Sequence, residues 1–320
     1  MHLKQSIYAA VAAIAGGIFF FTGAQAAAPM TKGQAPGYYQ MMLGDFEITV
    51  LSDGTAELPV GKLLTNVTPA QVTKALARSY LKEPLETSVN GFLINTGTKL
   101  VLVDTGAAKL FGPTLGNLVA NLKAAGYQPE QIDEVYITHM HPDHLGGLMA
   151  DDKPAFPNAI VRADKRDADF WLSQANLDKA SKDDKGFFQG AMASLNPYIA
   201  AGKFKPFDGN TELVLGVRAM ASHGHTPGHT TYIVESKGEK LALLGDLVHV
   251  AAVQFPDPSV TIHFDTDSKA AAVQRKRAFA DAAKQGYWVG AAHISFPGIG
   301  HIRADGKGYT WVPANYSVVH

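Results

Sequence analysis

The chain of 320 residues contains no cysteine. Disulfides, thiolate nucleophiles and iron–sulfur clusters are thereby excluded. Any metal must be held by imidazole and carboxylate, a donor set that suits zinc, manganese, iron, cobalt or nickel better than copper(I). An excess of one charge is also missing, since 28 Lys and Arg face 29 Asp and Glu for a formal net charge of -1. Nothing basic is left over to hold a phosphate backbone, so nucleic acid is not an expected partner and a nuclease role is disfavoured. No G-x-S-x-G elbow occurs, which removes the usual serine-hydrolase arrangement. Beyond the N-terminal segment there is no internal repeat, no low-complexity tract and no apolar run long enough to span a bilayer.

What is present reads as an ordinary globular chain, 46% hydrophobic and 18% charged. Its length allows one large domain or two small ones. Lys4, an apolar run from Ile7 to Phe21 and the small-residue site Ala24-Gln25-Ala26 form a secretory signal, with Ala27 as the mature start. We therefore expect residues 1–26 to be removed. Residues 27–320 should then be one exported domain, periplasmic and free of the membrane. A permanent N-terminal anchor is the alternative, and the run is short for a span.

Two halves show the same alternation of strands and helices. In the first, Gly44 to Gly54 alternates and ends in a turn, and Phe92 to Gly106 reads as two strands joined at Thr96-Gly97-Thr98. Thr68 caps a helix opening at Pro69, and Pro113 is expected to open another running to about Ala125. Val135 leads a short buried strand into a His-rich loop, and helices are expected at Lys165 to Gln174 and Lys185 to Ala201. In the second half a strand ends at Ser222 and a hairpin turns at Ser236-Lys237-Gly238. A buried strand follows from Leu241 to Asp246, then a helix from Asp267 to Lys284 and a last strand from Tyr287 to Ala292. Such alternation implies an α/β layered fold, in which functional residues gather on loops at strand ends.

The segment HMHPDH places His139, His141, Asp143 and His144 within six residues, directly after a buried strand. A dinuclear site needs six or seven ligands converging on two cations. In an extended loop His139 and His141 point the same way and can reach one ion, while Asp143 and His144 reach the other. The alternative is a solvated polar loop. His225, fixed by a Thr-Pro-Gly turn, is the next candidate. His229 reads as a residue orienting a ligand, and His223 as an ordinary loop residue. Asp246 ends an apolar strand, where a lone carboxylate is costly unless bridged by cations or used as a helix cap. Asp104 has the same placement and reads as an acid behind a ligand imidazole. His293 is the natural last ligand, and His301 is a structural or rim histidine.

The order H-x-H-x-D-H, His, Asp, His, spread from Phe46 to about His301, resembles the metallo-β-lactamase superfamily. The resemblance implies an αββα sandwich, two mixed sheets flanked by helices. It also implies that His139, His141 and His225 bind one metal, that Asp143, His144 and His293 bind the other, and that Asp246 bridges. Two divalent ions are expected, zinc foremost, with manganese, iron or cobalt as alternatives.

Within that superfamily, stretches such as KLVLVDTGAAKLFGPTLG, YITHMHPDH and SFPGIGHIRADGKGY resemble the methyl parathion hydrolase group, whose relatives include dihydrocoumarin hydrolases. By that resemblance Phe111, Trp171 and Phe187 would form an aromatic leaving-group pocket, though from the sequence alone plain core packing is the favoured reading. The chain departs from the group at Leu63, His249, Ile262 and Phe264, where the group has Arg, Leu, Thr and Leu. A reshaped cavity tilts the expectation toward a lactonase and aryl esterase using a metal-bridging hydroxide, with weak phosphotriester hydrolysis. An efficient methyl parathion hydrolase, a β-lactamase proper and a non-catalytic metal-binding protein are the alternatives. A small-molecule partner and a homodimer are expected on the same resemblance.

Overall fold

The computed structural model describes residues 28–318, so the expected signal at 1–26 lies outside the described residues. Residues 28–35 form no helix or strand. The described residues from Pro36 onward form one compact unit. Among the described residues no helix is long and apolar enough to cross a membrane.

That unit holds a six-stranded and a seven-stranded sheet. The first takes β1 (Tyr38–Leu43), β2 (Phe46–Leu58), β3 (Leu85–Asn95), β4 (Leu100–Val103), β5 (Glu134–Tyr136) and β6 (Ile160–Arg162), in that order. Its first four strands are antiparallel and its last two pairings parallel. The second takes β7 (Thr211–Val214), β8 (Val217–Ala221), β9 (Thr230–Ser236), β10 (Glu239–Leu243), β11 (Trp288–Gly290), β12 (Ile299–Asp305) and β13 (Gly308–Pro313), with β10 and β11 parallel.

Alternation along the strands builds the layers, because successive side chains point to opposite faces. Val50, Phe92, Ile94, Val101 and Val103 face inward and pack on Ala219, Tyr232, Val234, Leu241 and Leu243 of the other sheet. Their neighbours Leu51, Leu93 and Leu102 face outward onto α2 (Leu118–Ala124) and α4 (Lys185–Ala200). Ile233, Ala242 and Val289 face outward from the second sheet onto Phe279 and Ala282 of α5 (Ser268–Gln285). This is the expected αββα order.

Several boundaries differ from the sequence expectation. The strand expected to stop at Gly54 runs on to Leu58 through a bulge between Ser52 and Gly54. Gly54 has φ +132°, and a Cβ there would lie 2.0 Å from the Thr114 carbonyl oxygen. The helix assigned to Pro113 begins only at Leu118, because Gly112 and Gly116 both hold positive φ in an irregular approach. The helix expected at Lys165 to Gln174 is two: α3 (Lys165–Trp171), then Gln174–Lys179 with its own cap at Ser173. Strand β10 ends at Leu243, and Asp246 stands on the short turn Gly245–Leu247. The last expected strand is likewise shorter, Trp288–Gly290. By contrast α1 (Pro69–Arg78) opens with the expected capping box between Thr68 and Gln71.

Candidate metal centre

Each strand that leads to the site ends three or four residues before a donor. β5 stops at Tyr136, and the chain passes through His139 and His141 into a helical turn, Pro142–Leu145, that presents Asp143 and His144. β10 is followed by Gly245, whose φ is +54° and where a Cβ would lie 2.7 Å from His229 Nε2. Only a glycine lets the chain turn there to deliver Asp246. The loop between β8 and β9 brings His225, and the loop after β11 brings His293.

The seven side chains meet. His139, His141, His225 and Asp246 offer donor atoms within 4.8 Å of one another, and so do Asp143, His144 and His293. Asp246 touches both groups. Its Oδ2 lies 3.6 Å from His139 Nε2 and 3.3 Å from His225 Nε2, while its Oδ1 lies 3.1 Å from His144 Nε2 and 3.2 Å from His293 Nε2. All but Asp143 are buried.

The outer nitrogens fix the ring orientations. His144 Nδ1 pairs with Asp104 Oδ2 at 2.8 Å, His225 Nδ1 with Asp265 Oδ1 at 2.8 Å, and His293 Nδ1 with the Ser88 carbonyl at 2.9 Å. A proton held there would leave the Nε2 lone pair free to face a cation. The inner atoms His139 Nε2, His144 Nε2 and Asp246 Oδ1 are buried with no hydrogen-bond partner. His144 Nε2 and Asp246 Oδ1 lie 3.1 Å apart without forming a hydrogen bond. Buried polar atoms are rarely left so, and two divalent cations would satisfy them. Burial and neighbouring imidazoles hold His139 and His141 well below the usual histidine value, which keeps both neutral and ready to ligate. Burial would raise Asp246, but the surrounding imidazoles, His144 foremost, hold it well below the carboxylate range.

The sequence pattern of the Metallo-beta-lactamase superfamily matches residues 85–284. The chain belongs to this superfamily. As a metallo-β-lactamase-fold protein it is similar to an N-acyl homoserine lactonase of Bacillus cereus, 25% identical over 203 residues, 58% of this chain and 73% of the relative. Among solved structures it is similar to the hydrolase AbOPH of the beta lactamase superfamily, at 40% identity and TM-score 0.85, covering 89% of this chain and all of that one. It is also similar to AidC, described as a dizinc quorum-quenching lactonase, at 26% identity and TM-score 0.82, covering 88% of this chain and 99% of that one. The chain is a metal-dependent hydrolase of the superfamily.

In this metallo-β-lactamase site a cavity of about 220 Å³ opens over Asp246 and His293, walled by Phe111, Phe187, His249 and Phe264. His249 is buried beside the centre, its Nε2 3.0 Å from Asp246 Oδ2. A second cavity of about 430 Å³ shares His141, Phe187 and Phe264 with it and is bordered by Trp171. Leu63 and Ile262 do not line the inner cavity. Ile262 pairs with Leu64 in a two-stranded ladder, and both residues pack into an apolar cluster with Val60 and Val250. His229 sits behind the centre, where its Nε2 accepts the Asp246 N–H at 3.0 Å. His223 takes a hydrogen bond from Arg166, and His301 packs against the Trp288 ring at a tilt, so neither belongs to the centre.

The sequence did not reveal Asp265, Asp167 or the Ser88 carbonyl. Asp265 resembles any acid near a helix start, since Asp267, two residues on, is the actual cap of α5. Replacing Asp265 with alanine should weaken metal binding about 10–100-fold, the usual cost of losing an orienting partner. Competition with a chromogenic chelator measures this, and unchanged affinity would remove Asp265 from the site.

Proposed function

We propose that this protein hydrolyses lactones and aryl esters of the dihydrocoumarin kind at a pair of divalent cations, and organophosphate triesters only weakly. The observation that carries the reading is the position of Asp246. Its two oxygens face two separate donor groups at the floor of an apolar cavity. We assign His139, His141 and His225 to one cation, Asp143, His144 and His293 to the other, and Asp246 to both. Zinc is favoured, since AidC is a dizinc lactonase and the donors are imidazole and carboxylate. We also place the protein outside the cytoplasm, as a homodimer beginning at Ala27.

Bound there, divalent cations acidify water and polarise a carbonyl. The chain supplies the remainder. Asp246 lies between both donor groups and is the carboxylate placed to take up the proton that the attacking water releases. His229 fixes its backbone, and Asp104, Asp265 and Ser88 fix the imidazoles. Phe111, Phe187 and Phe264 present rings against which a planar substrate can be oriented.

The methyl parathion hydrolase group supports the phosphotriester side reaction by resemblance. The departures His249 and Phe264 stand in the cavity wall. Replacing both with leucine should raise kcat/KM for methyl parathion relative to dihydrocoumarin by about tenfold or more, since a methylene-scale misfit is worth about 1–3 kcal/mol. An unchanged ratio would mean these walls do not set the preference.

The deciding experiment compares kcat/KM on dihydrocoumarin, an acyl-homoserine lactone, phenyl acetate and methyl parathion, with metal content measured on the same sample. Dihydrocoumarin and phenyl acetate should lead. Methyl parathion turned over best would overturn the assignment, and no turnover by fully loaded protein would favour a metal-binding role.

A further inference from the structure

Among the described residues, Arg275 is the only buried lysine or arginine. It stands on α5, and its hydrogen bonds go to backbone carbonyls. Nε donates to Leu247, and Nη1 donates to Pro258 at 3.2 Å and Val260 at 2.6 Å. Nη2 has no partner. A guanidinium stripped of water and with no carboxylate in ion-pair contact is a costly way to fill a core, and an apolar side chain of similar size would fill it at less cost. What distinguishes the position is which carbonyls it holds.

Leu247 directly follows Asp246. Pro258 and Val260 begin the stretch that carries Ile262, Phe264 and Asp265. Gln254, also fully buried, closes the ring. Its Oε1 accepts from the backbone N–H of His249 at 2.8 Å and of Val250 at 3.0 Å, and its Nε2 donates to Val260 at 3.1 Å. At the far end Asp265 pairs with His225 Nδ1, and the Thr266 N–H donates to the His225 carbonyl at 2.9 Å. Residues 247–265 are thus wrapped on one cation, with Asp246 at one end and the partner of His225 at the other.

We infer that Arg275 is a positioning residue for the metal centre. Its guanidinium fixes the segment 247–265, and through it the placement of Asp246, the orientation of His225 and the Phe264 wall. The inference rests on the reading of the centre given above. A lysine cannot substitute, because a single ammonium lacks the planar fork that reaches carbonyls in two directions.

The test uses the processed, zinc-loaded protein and three variants: Arg275→Lys, Arg275→Gly with and without millimolar guanidinium, and Phe279→Leu as a control on the same helix. Phe279 packs on Phe255 of the same segment but makes no hydrogen bond to it, so its replacement removes packing alone. The readouts are the half-time of zinc loss to EDTA, Tm, and kcat and KM on the best substrate of the panel. Arg275→Lys should lose zinc about tenfold faster or more and lower kcat by a similar factor, the scale of other ligand-orienting residues. Guanidinium should restore both in Arg275→Gly. Phe279→Leu should lower Tm and leave zinc loss and kcat as in the parent. If Arg275→Lys lowers Tm in the same way and leaves both unchanged, the inference fails, and this holds whether or not Arg275→Gly folds. A parent that binds zinc but turns over nothing counts against the proposed reaction alone, and the zinc-loss comparison still decides Arg275.

Discussion

Replacing Asp246 with alanine should strip metal from both donor groups and reduce dihydrocoumarin hydrolysis on the order of 10⁴-fold, the scale on which a central catalytic group is lost. The argument is geometric. Other donors belong to one group, whereas Asp246 comes within 3.6 Å of His139 and 3.1 Å of His144, one from each. The alanine variant leaves two donor groups with no shared carboxylate, and like-charged cations would then face each other less well screened. Asp246→Asn sharpens the test. It preserves shape and one acceptor oxygen, so we expect partial metal retention with activity still lost, because the amide cannot take up a proton. Metal analysis and kinetics on the same samples separate the outcomes. An alanine variant that kept two equivalents and substantial turnover would end the bridging assignment.

The centre was readable where its ligands are local or anomalous. HMHPDH is dense enough to stand out, and an acid after a buried strand, as at Asp246, demands a partner. The supporting residues were not readable, because their meaning lies in long-range contact. Asp167 sits in KRDADFW, which reads as an exposed helical turn, yet its side chain is fully buried. Arg275 sits in a charged helix, and only the packing of α5 reveals that it is enclosed. Pro113 misled because proline suits an irregular approach as well as a first helical turn, and the glycines beside it select the former. Leu63 and Ile262 were placed at the pocket by resemblance. The pairing of Ile262 with Leu64 commits them instead to the apolar cluster beside it.

Asp167 carries the largest expected effect on stability. Its Oδ2 accepts from the Met140 N–H at 2.8 Å and the Thr226 hydroxyl at 3.0 Å, and its Oδ1 accepts from the Gly228 N–H at 2.5 Å. Met140 lies between His139 and His141, and Thr226 follows His225, so one carboxylate staples the two loops that carry the first donor group. Asparagine offers a single acceptor oxygen and would point its amide at a donor, stranding a buried N–H. Asp167→Asn should therefore cost about 2–4 kcal/mol, the sum of an unmade charged hydrogen bond and an unsatisfied buried group. Urea unfolding of the metal-loaded protein measures it. The pH dependence gives a second readout. Burial pushes the Asp167 carboxyl up to about 6, against donors that pull it down. A carboxyl raised above its unfolded value of about 4 contributes stability at low pH and loses it as pH rises through about 6. The asparagine variant lacks that slope, while the remaining titrations largely cancel between the two proteins. The gap between parent and variant should thus widen as pH falls from 7 toward 5. A gap that narrows on acidification would show the reverse, that the three donors hold the folded carboxyl below its unfolded value and that its buried charge ties the loops together.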